Sequence, residues 1–297
     1  MEYVLRTDKL TKCFGDKRAV DGVSMQIKKG DIYGFIGKNG AGKTTLMRLV
    51  LGVAEPTSGS IELFGGESLS SARHRIGALL EYPCLYKNCS AYENLKRFAI
   101  LTGADTEEIE NILRLIGLDN TGRKKVGNFS LGMKQRLGIG IALLGNPDFL
   151  ILDEPVNGLD PSGIKEVRDV ILKLNREKGI TFLISSHLLD ELAKLVSTYG
   201  IINNGQLIEQ ISAEELEIRC RHQLKIVVDK PKKAIALLSC IADAGSIKFE
   251  GNDIYMYSLI DRSADINRLL VRHGIKVKQL VVQSDRLEEY FIERLGG

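Results

Sequence analysis

No apolar run in these 297 residues approaches the roughly 18 that a membrane helix needs. The most apolar stretch, Ile139 to Leu152, is interrupted by Asn146-Pro147-Asp148. Met1-Glu2-Tyr3-Val4-Leu5-Arg6 lacks the apolar core of a secretion signal, so no leader is expected. Cysteine is sparse: Cys13, Cys84, Cys89, Cys220 and Cys240 are odd in number and form no Cys-x-x-Cys pair. That argues against disulfides and a zinc site and for free thiols in a reducing cytosol. Neither sign of charge dominates, with 41 basic against 38 acidic residues and a net charge of +3, which argues against nucleic acid as a partner. What remains is the composition of a globular protein, 44% hydrophobic and 27% charged, long enough for about two domains and a large core.

Within that ordinary background, residues 37–45 read Gly37-Lys38-Asn39-Gly40-Ala41-Gly42-Lys43-Thr44-Thr45. Gly37 and Gly42 frame four residues ahead of Lys43 and Thr44, the spacing of a phosphate-binding loop. Glycines let backbone N–H groups crowd around phosphates where a Cβ would collide. Lys43 is expected to reach the β- and γ-phosphates of a nucleoside triphosphate, and the Thr44 hydroxyl to ligate Mg²⁺. A helix starting near Gly42 would aim its positive end at the same anion. The context fits, since Asp31–Ile36 is a short β-rich run and Thr45–Leu51 reads as a helix.

Strand-like and helix-like segments alternate through residues 1–212, which predicts an α/β nucleotide-binding domain. Over about 85–145 the character turns helical; Ile109, Ile112, Leu113 and Ile116 recur on one face. Asn204-Gly205 between two apolar runs signals a hairpin. Ser212 and Glu215 suggest a capping box on a connecting helix. Residues 213–297 change style. A strand at Leu224–Val228, a helix carrying Ala234, Leu237, Leu238 and Ile241, strands near Ile247–Phe249 and Ile254–Tyr257, a helix at Ile266–Leu270 and a strand at Ile275–Val282 follow in order. That is the β-α-β-β-α-β order of a small ferredoxin-like α+β domain. A last helix, capped by Ser284, carries Leu287, Tyr290 and Phe291. His222 and His273 lack partners at ligand spacing and read as surface or packing residues.

Phe149-Leu150-Ile151-Leu152 reads as a buried parallel strand delivering Asp153 and Glu154 to its C-terminal edge. Asp153 would hold Mg²⁺ through its water shell, and Glu154 is the candidate base for the attacking water. Ser130, in Phe129-Ser130-Leu131-Gly132-Met133-Lys134-Gln135-Arg136, would cap a helix whose N-terminus is an anion site.

Here the chain resembles the nucleotide-binding subunits of ABC transporters, keeping Ser130 and Gly132 of their Leu-Ser-Gly-Gly-Gln signature and departing at its other positions. The resemblance implies that this segment faces the γ-phosphate held by the other subunit of a head-to-tail dimer. It also implies that Asp160 lies in the loop crossing that interface, with Asp160-Pro161 opening a helix. By the same resemblance His187 contacts the γ-phosphate and Phe14 stacks on adenine. Glu81 stands where the family usually has a glutamine that touches Mg²⁺ and the attacking water. A carboxylate there would bind Mg²⁺ more strongly yet repel the triphosphate, so it is expected to retune turnover or metal preference.

Gly30–Gly37, Ile76–Glu81, Phe129–Ile139 and Leu287–Phe291 together resemble the bacitracin-resistance and lantibiotic-immunity branch. The expectation is an Mg²⁺-dependent ATPase on the inner face of a bacterial membrane, with two copies sandwiching two ATP and driving a separate permease. A sodium or lipid exporter stays open, since cargo touches the permease. So does a soluble relative acting on ribosomes or DNA, although those carry two cassettes or long coiled coils and this chain has neither.

Overall fold

The structure, a computed structural model, describes residues 2–187, 192–220, 222–242, 245–251, 253–284 and 287–295. Two compact units divide the chain, Met1–Ala213 and Glu214–Gly297.

The first unit opens with an antiparallel sheet. β1 (Tyr3–Phe14) pairs with β2 (Lys17–Val23) and β3 (Gln26–Lys28) and, after β4 (Ile32–Ile36) and α1 (Lys43–Leu51), with β5 (Ser58–Leu63). Nothing in the sequence pattern announces this sheet. Register shifts along β1, and a left-handed φ of 45° at Lys9, break the alternation that marks a strand.

A six-stranded sheet forms the platform, in the order β10-β9-β4-β8-β7-β6. It comprises β6 (Ile76–Leu79), β7 (Phe149–Asp153), β8 (Thr181–Ser186), β9 (Thr198–Asn203) and β10 (Gln206–Ser212) besides β4. β4, β7 and β8 are buried along their whole lengths, which is why apolar runs such as Phe149–Leu152 and Phe182–Ile184 stand in them. Ile36 pairs with Ser186 and Asp153 with Ser185, so the C-terminal ends of three adjacent parallel strands meet at one edge. Only β10 runs antiparallel, returning through a turn whose two residues, Asn204 and Gly205, both have positive φ.

Between β6 and β7 the chain is helical, as expected: α2 (Leu69–Arg73) precedes β6, and α3 (Ala91–Thr102), α4 (Ile109–Leu115) and α5 (Leu131–Ala142) follow it. Ile109, Ile112, Leu113 and Ile116 are all buried. A full capping box starts α3: Ser90 Oγ accepts from the Glu93 N–H, and a Glu93 carboxylate oxygen accepts from the Ser90 N–H at 2.7 Å. β6 reaches α5 only because residue 77 is glycine, since a Cβ there would collide with the Ala142 carbonyl oxygen. α6 (Pro161–Lys178) then leads to β8.

After α7 (Ala213–Arg219), which begins directly beyond Ser212, the second unit runs β11 (His222–Val228), α8 (Pro231–Leu238), β12 (Ile247–Glu250), β13 (Asp253–Met256), α9 (Ser263–Arg272), β14 (Val277–Ser284) and α10 (Leu287–Arg294). Its antiparallel sheet has the order β12-β13-β11-β14, the strand order of a ferredoxin-like fold. Leu224, Ile226, Ala234, Leu238, Ile254, Met256, Ile266 and Leu270 form its core. One expectation needs correction. Ile241 falls beyond the end of α8 and is 45% exposed, because the helix closes at Ser239. Ser284 pairs with His222 at the end of β14, and the expected cap on α10 falls on a side chain and on residues 285–286 that lie outside the described residues.

Candidate functional site

The loop from β4 to α1 forms the floor of a cleft of about 330 Å³. Lys38, Asn39, Gly40, Ala41, Gly42, Lys43, Thr44 and Thr45 line it, together with Phe14, Lys17, Ala19, Asp153 and Glu154. Gly42 is indispensable to this loop: its φ is 107°, and a Cβ there would collide with the carbonyl oxygen of Ala19. No side chain caps α1 at Gly42, so the first-turn N–H groups that helices leave unspent, and their positive dipole end, are presented to the cleft.

Lys43 is buried. Its ammonium donates to the Gly37 carbonyl at 2.6 Å and stands 3.4 Å from Glu154 Oε1. Thr44 donates its hydroxyl to Asp153 Oδ2 at 2.6 Å. On the neighbouring strand end, the Ser185 hydroxyl donates to Asp153 Oδ1 and accepts from the Glu154 N–H at 2.9 Å. Glu154 adopts a left-handed φ of 50°, a conformation that costs a non-glycine residue about 1 kcal/mol or more. That turn sets Glu154 Oε2 2.8 Å from His187 Nδ1. Its other oxygen, Oε1, is buried and makes no aligned hydrogen bond despite the nearby ammonium. A carboxylate oxygen that spends no hydrogen bond, in a cleft floored by backbone N–H groups, suits a water that must be oriented and deprotonated.

Ser130, Gly132 and Asp160 are not among the residues lining this cleft. They form a second cluster. Ser130 caps α5 by accepting from the Met133 N–H, and Asp160 caps α6 by accepting from the Gly163 N–H, both at 3.2 Å. Gly132 is buried where the two helix starts abut; a Cβ on it would sit 3.3 Å from Gly163 Cα. Glu81 stands apart from both groups. It is not among the cleft-lining residues, and its carboxylate accepts from Arg48 Nη2 at 2.9 Å.

Two residues escaped the sequence reading. Ser185 belongs to no motif in the sequence, and its contact with both acids depends on β7 and β8 being neighbours. Lys17 depends on the β1–β2 hairpin, which the pattern does not reveal.

A strand-loop-helix phosphate cradle beside an Asp-Glu strand end defines a P-loop nucleoside triphosphatase. The ABC transporter family matches residues 20–157. Over the whole of this chain and 99% of its own length, the bacitracin transport ATP-binding protein BcrA of Bacillus licheniformis is 43% identical. The lantibiotic transport ATP-binding protein SrtF of Streptococcus pyogenes is 43% identical over 74% of this chain and 97% of its own. Among solved structures, the ATP-binding cassette of an ABC transporter in its ADP conformation superposes with a TM-score of 0.65 and 30% identity, covering 72% of this chain and 92% of that one. This chain belongs to the ATP-binding subunits of ABC transporters. It is an ATPase.

Proposed function

We propose that the chain works as one of two ATPase subunits that together power export of a peptide antibiotic through a separate membrane permease. For the cargo, the supporting observation is the 43% identity, along the entire chain, with a protein named for bacitracin transport. No helix among the described residues is long and apolar enough to cross a membrane, so attachment to the inner face of the cell membrane would come from the permease.

In this reading the phosphate loop and Lys43 bind the β- and γ-phosphates and spread their charge over backbone dipoles. Thr44 and Asp153 offer hydroxyl and carboxylate oxygens, a donor set that fits Mg²⁺. The ion, when bound, neutralises phosphate charge. Glu154 orients the attacking water and takes its proton, while Ser185 fixes the carboxylate pair and His187 contacts the γ-phosphate. Ser130 and Gly132 belong to the opposing surface. Two copies arranged head to tail would set the start of one copy's α5 against the nucleotide held by the other, with Asp160 at the crossing.

The test is a pull-down of the tagged chain from detergent-solubilised native membranes with ATP and Mg²⁺. A stoichiometric polytopic partner is expected, and deletion of the gene should sensitise the cells to bacitracin or a lantibiotic. Recovery with ribosomes or DNA and no membrane protein would overturn the transporter reading. A membrane partner with unchanged susceptibility to these peptides would overturn the cargo.

A further inference from the structure

The tip of the β1–β2 hairpin brings more than an aromatic ring to the nucleotide cleft. Phe14 and Lys17 are cross-strand partners on either side of Gly15-Asp16, and both line the cleft. Directly opposed residues of an antiparallel pair project from the same face, so ring and ammonium stem stand side by side. Lys12 completes the group, with its Nζ 5.1 Å from the centre of the Phe14 ring.

The cations near this end differ in what they are committed to. Lys12 donates to the Glu55 carbonyl at 2.8 Å, and Arg18 pairs with Asp21 at 2.8 Å. At the far end of the cleft, Lys43 is held by Gly37 and Glu154. Lys17 is exposed, and its ammonium makes no hydrogen bond or ion pair among the described residues. The acids that line the cleft, Asp153 and Glu154, both belong to the end of β7, beside Lys43 and Thr44. A nucleoside triphosphate laid from Phe14 to Lys43 therefore has its terminal phosphate at the acidic end. Its ribose and α-phosphate fall near the hairpin, where the Lys17 ammonium stands away from both cleft-lining carboxylates.

We infer that Lys17 is a nucleotide-binding residue, supplying the cationic contact to the ribose–α-phosphate segment that Lys43 is too far committed to reach. The inference rests on the cleft being the ATP site. Its chemistry is that of a charge-assisted contact at an exposed position, weaker than a buried pair and sensitive to salt. Because the α-phosphate is common to all nucleotides, Lys17 acts on ATP, ADP and GTP alike.

Calorimetric titration of the full chain with Mg²⁺ and ATP, ADP or GTP tests this, comparing wild type with Lys17→Gln and Lys17→Arg. Lys17→Gln should weaken all three by one common factor of about three- to tenfold, shrinking in about 1 M salt. Lys17→Arg should restore most of the affinity, and a matching thermal melt of both variants with wild type keeps folding out of the comparison. Unchanged ATP affinity in Lys17→Gln would overturn the inference, as would a loss confined to one base. Should a variant melt early, Lys17→Thr, which restores a β-favouring residue, replaces it under the same criteria. Failure of the wild-type chain to bind Mg-ATP would instead sink the underlying assignment of the cleft.

Discussion

His187 Nδ1 and Glu154 Oε2 lie 2.8 Å apart, on a carboxylate whose second oxygen faces the Lys43 ammonium at 3.4 Å. Glu154 is thus held from two sides, by the first residue of α1 and by the residue that follows β8. Substituting Glu154→Gln preserves that shape while removing the proposed base. The variant should bind ATP and dimerise stably in its presence, with hydrolysis lowered by about 10²-fold or more. Phosphate release and size-exclusion chromatography with ATP check both halves; rapid turnover would refute Glu154 as the base.

His187→Ala removes one partner of the same carboxylate and a contact expected at the γ-phosphate. Hydrolysis should fall by about 10²-fold, the usual loss for one preorganised donor. ATP binding should change much less, because the phosphate loop carries it. Equal losses in binding and turnover, read by titration and by single-turnover hydrolysis, would place His187 in ground-state binding instead.

Much of this site is legible in the sequence because phosphate binding depends on contiguous residues. The stretch 37–45 carries its glycines, Lys43 and Thr44 in one run, and Phe149–Glu154 states both its burial and its chemistry. Ser185 and Lys17 were not legible, since each acts through a neighbour that only strand order supplies. Glu81 shows the converse limit: its position was readable, yet its capture by Arg48 on α1 depends on a left-handed φ of 60° that a sequence does not announce. The second unit was legible in order but not in its ends, where Ile241 continues a helical period that the backbone has already left.

Gly77 tests how the helical insert is anchored to the sheet. Gly77→Ala forces a methyl group onto the Ala142 carbonyl at the end of α5. Strand or helix must shift, and overpacking of this kind costs about 1–3 kcal/mol. Urea denaturation should show a lower midpoint, and ATPase activity should fall with it, since β6 lies next to the strand that carries Asp153. A midpoint equal to wild type would mean that α5 is not held at this distance.

Acid should loosen the start of α3. Glu93 is held below the usual carboxylate range, chiefly by the Ser90 N–H it accepts and then by the Ser90 side chain. A depressed folded-state value means stabilisation that is complete above the unfolded glutamate range, about 4.3, and lost as pH falls through the lower folded value. Thermal melts of wild type and Glu93→Gln should therefore differ slightly at neutral pH and converge in acid. A gap that stays constant from pH 7 to pH 3 would show that the charge of Glu93 does not contribute.

Glu81 carries the clearest functional question. Its pair with Arg48 is exposed on both sides, 46% and 62%, and such pairs contribute only about 0–1 kcal/mol. Arg48 therefore occupies the carboxylate without locking it, and a bound nucleotide with its divalent ion offers a competing charge. We expect Glu81→Gln to alter turnover and the preference between Mg²⁺ and Mn²⁺ without abolishing hydrolysis. Arg48→Ala frees the carboxylate and should shift the metal preference in the opposite direction, an effect that must vanish in the Arg48→Ala/Glu81→Gln double variant. Metal titrations of steady-state ATPase activity across the four proteins separate these outcomes. If Glu81→Gln keeps the wild-type rate, Mg²⁺ dependence and Mn²⁺ preference, Glu81 has no part in metal handling and serves only the ion pair on α1.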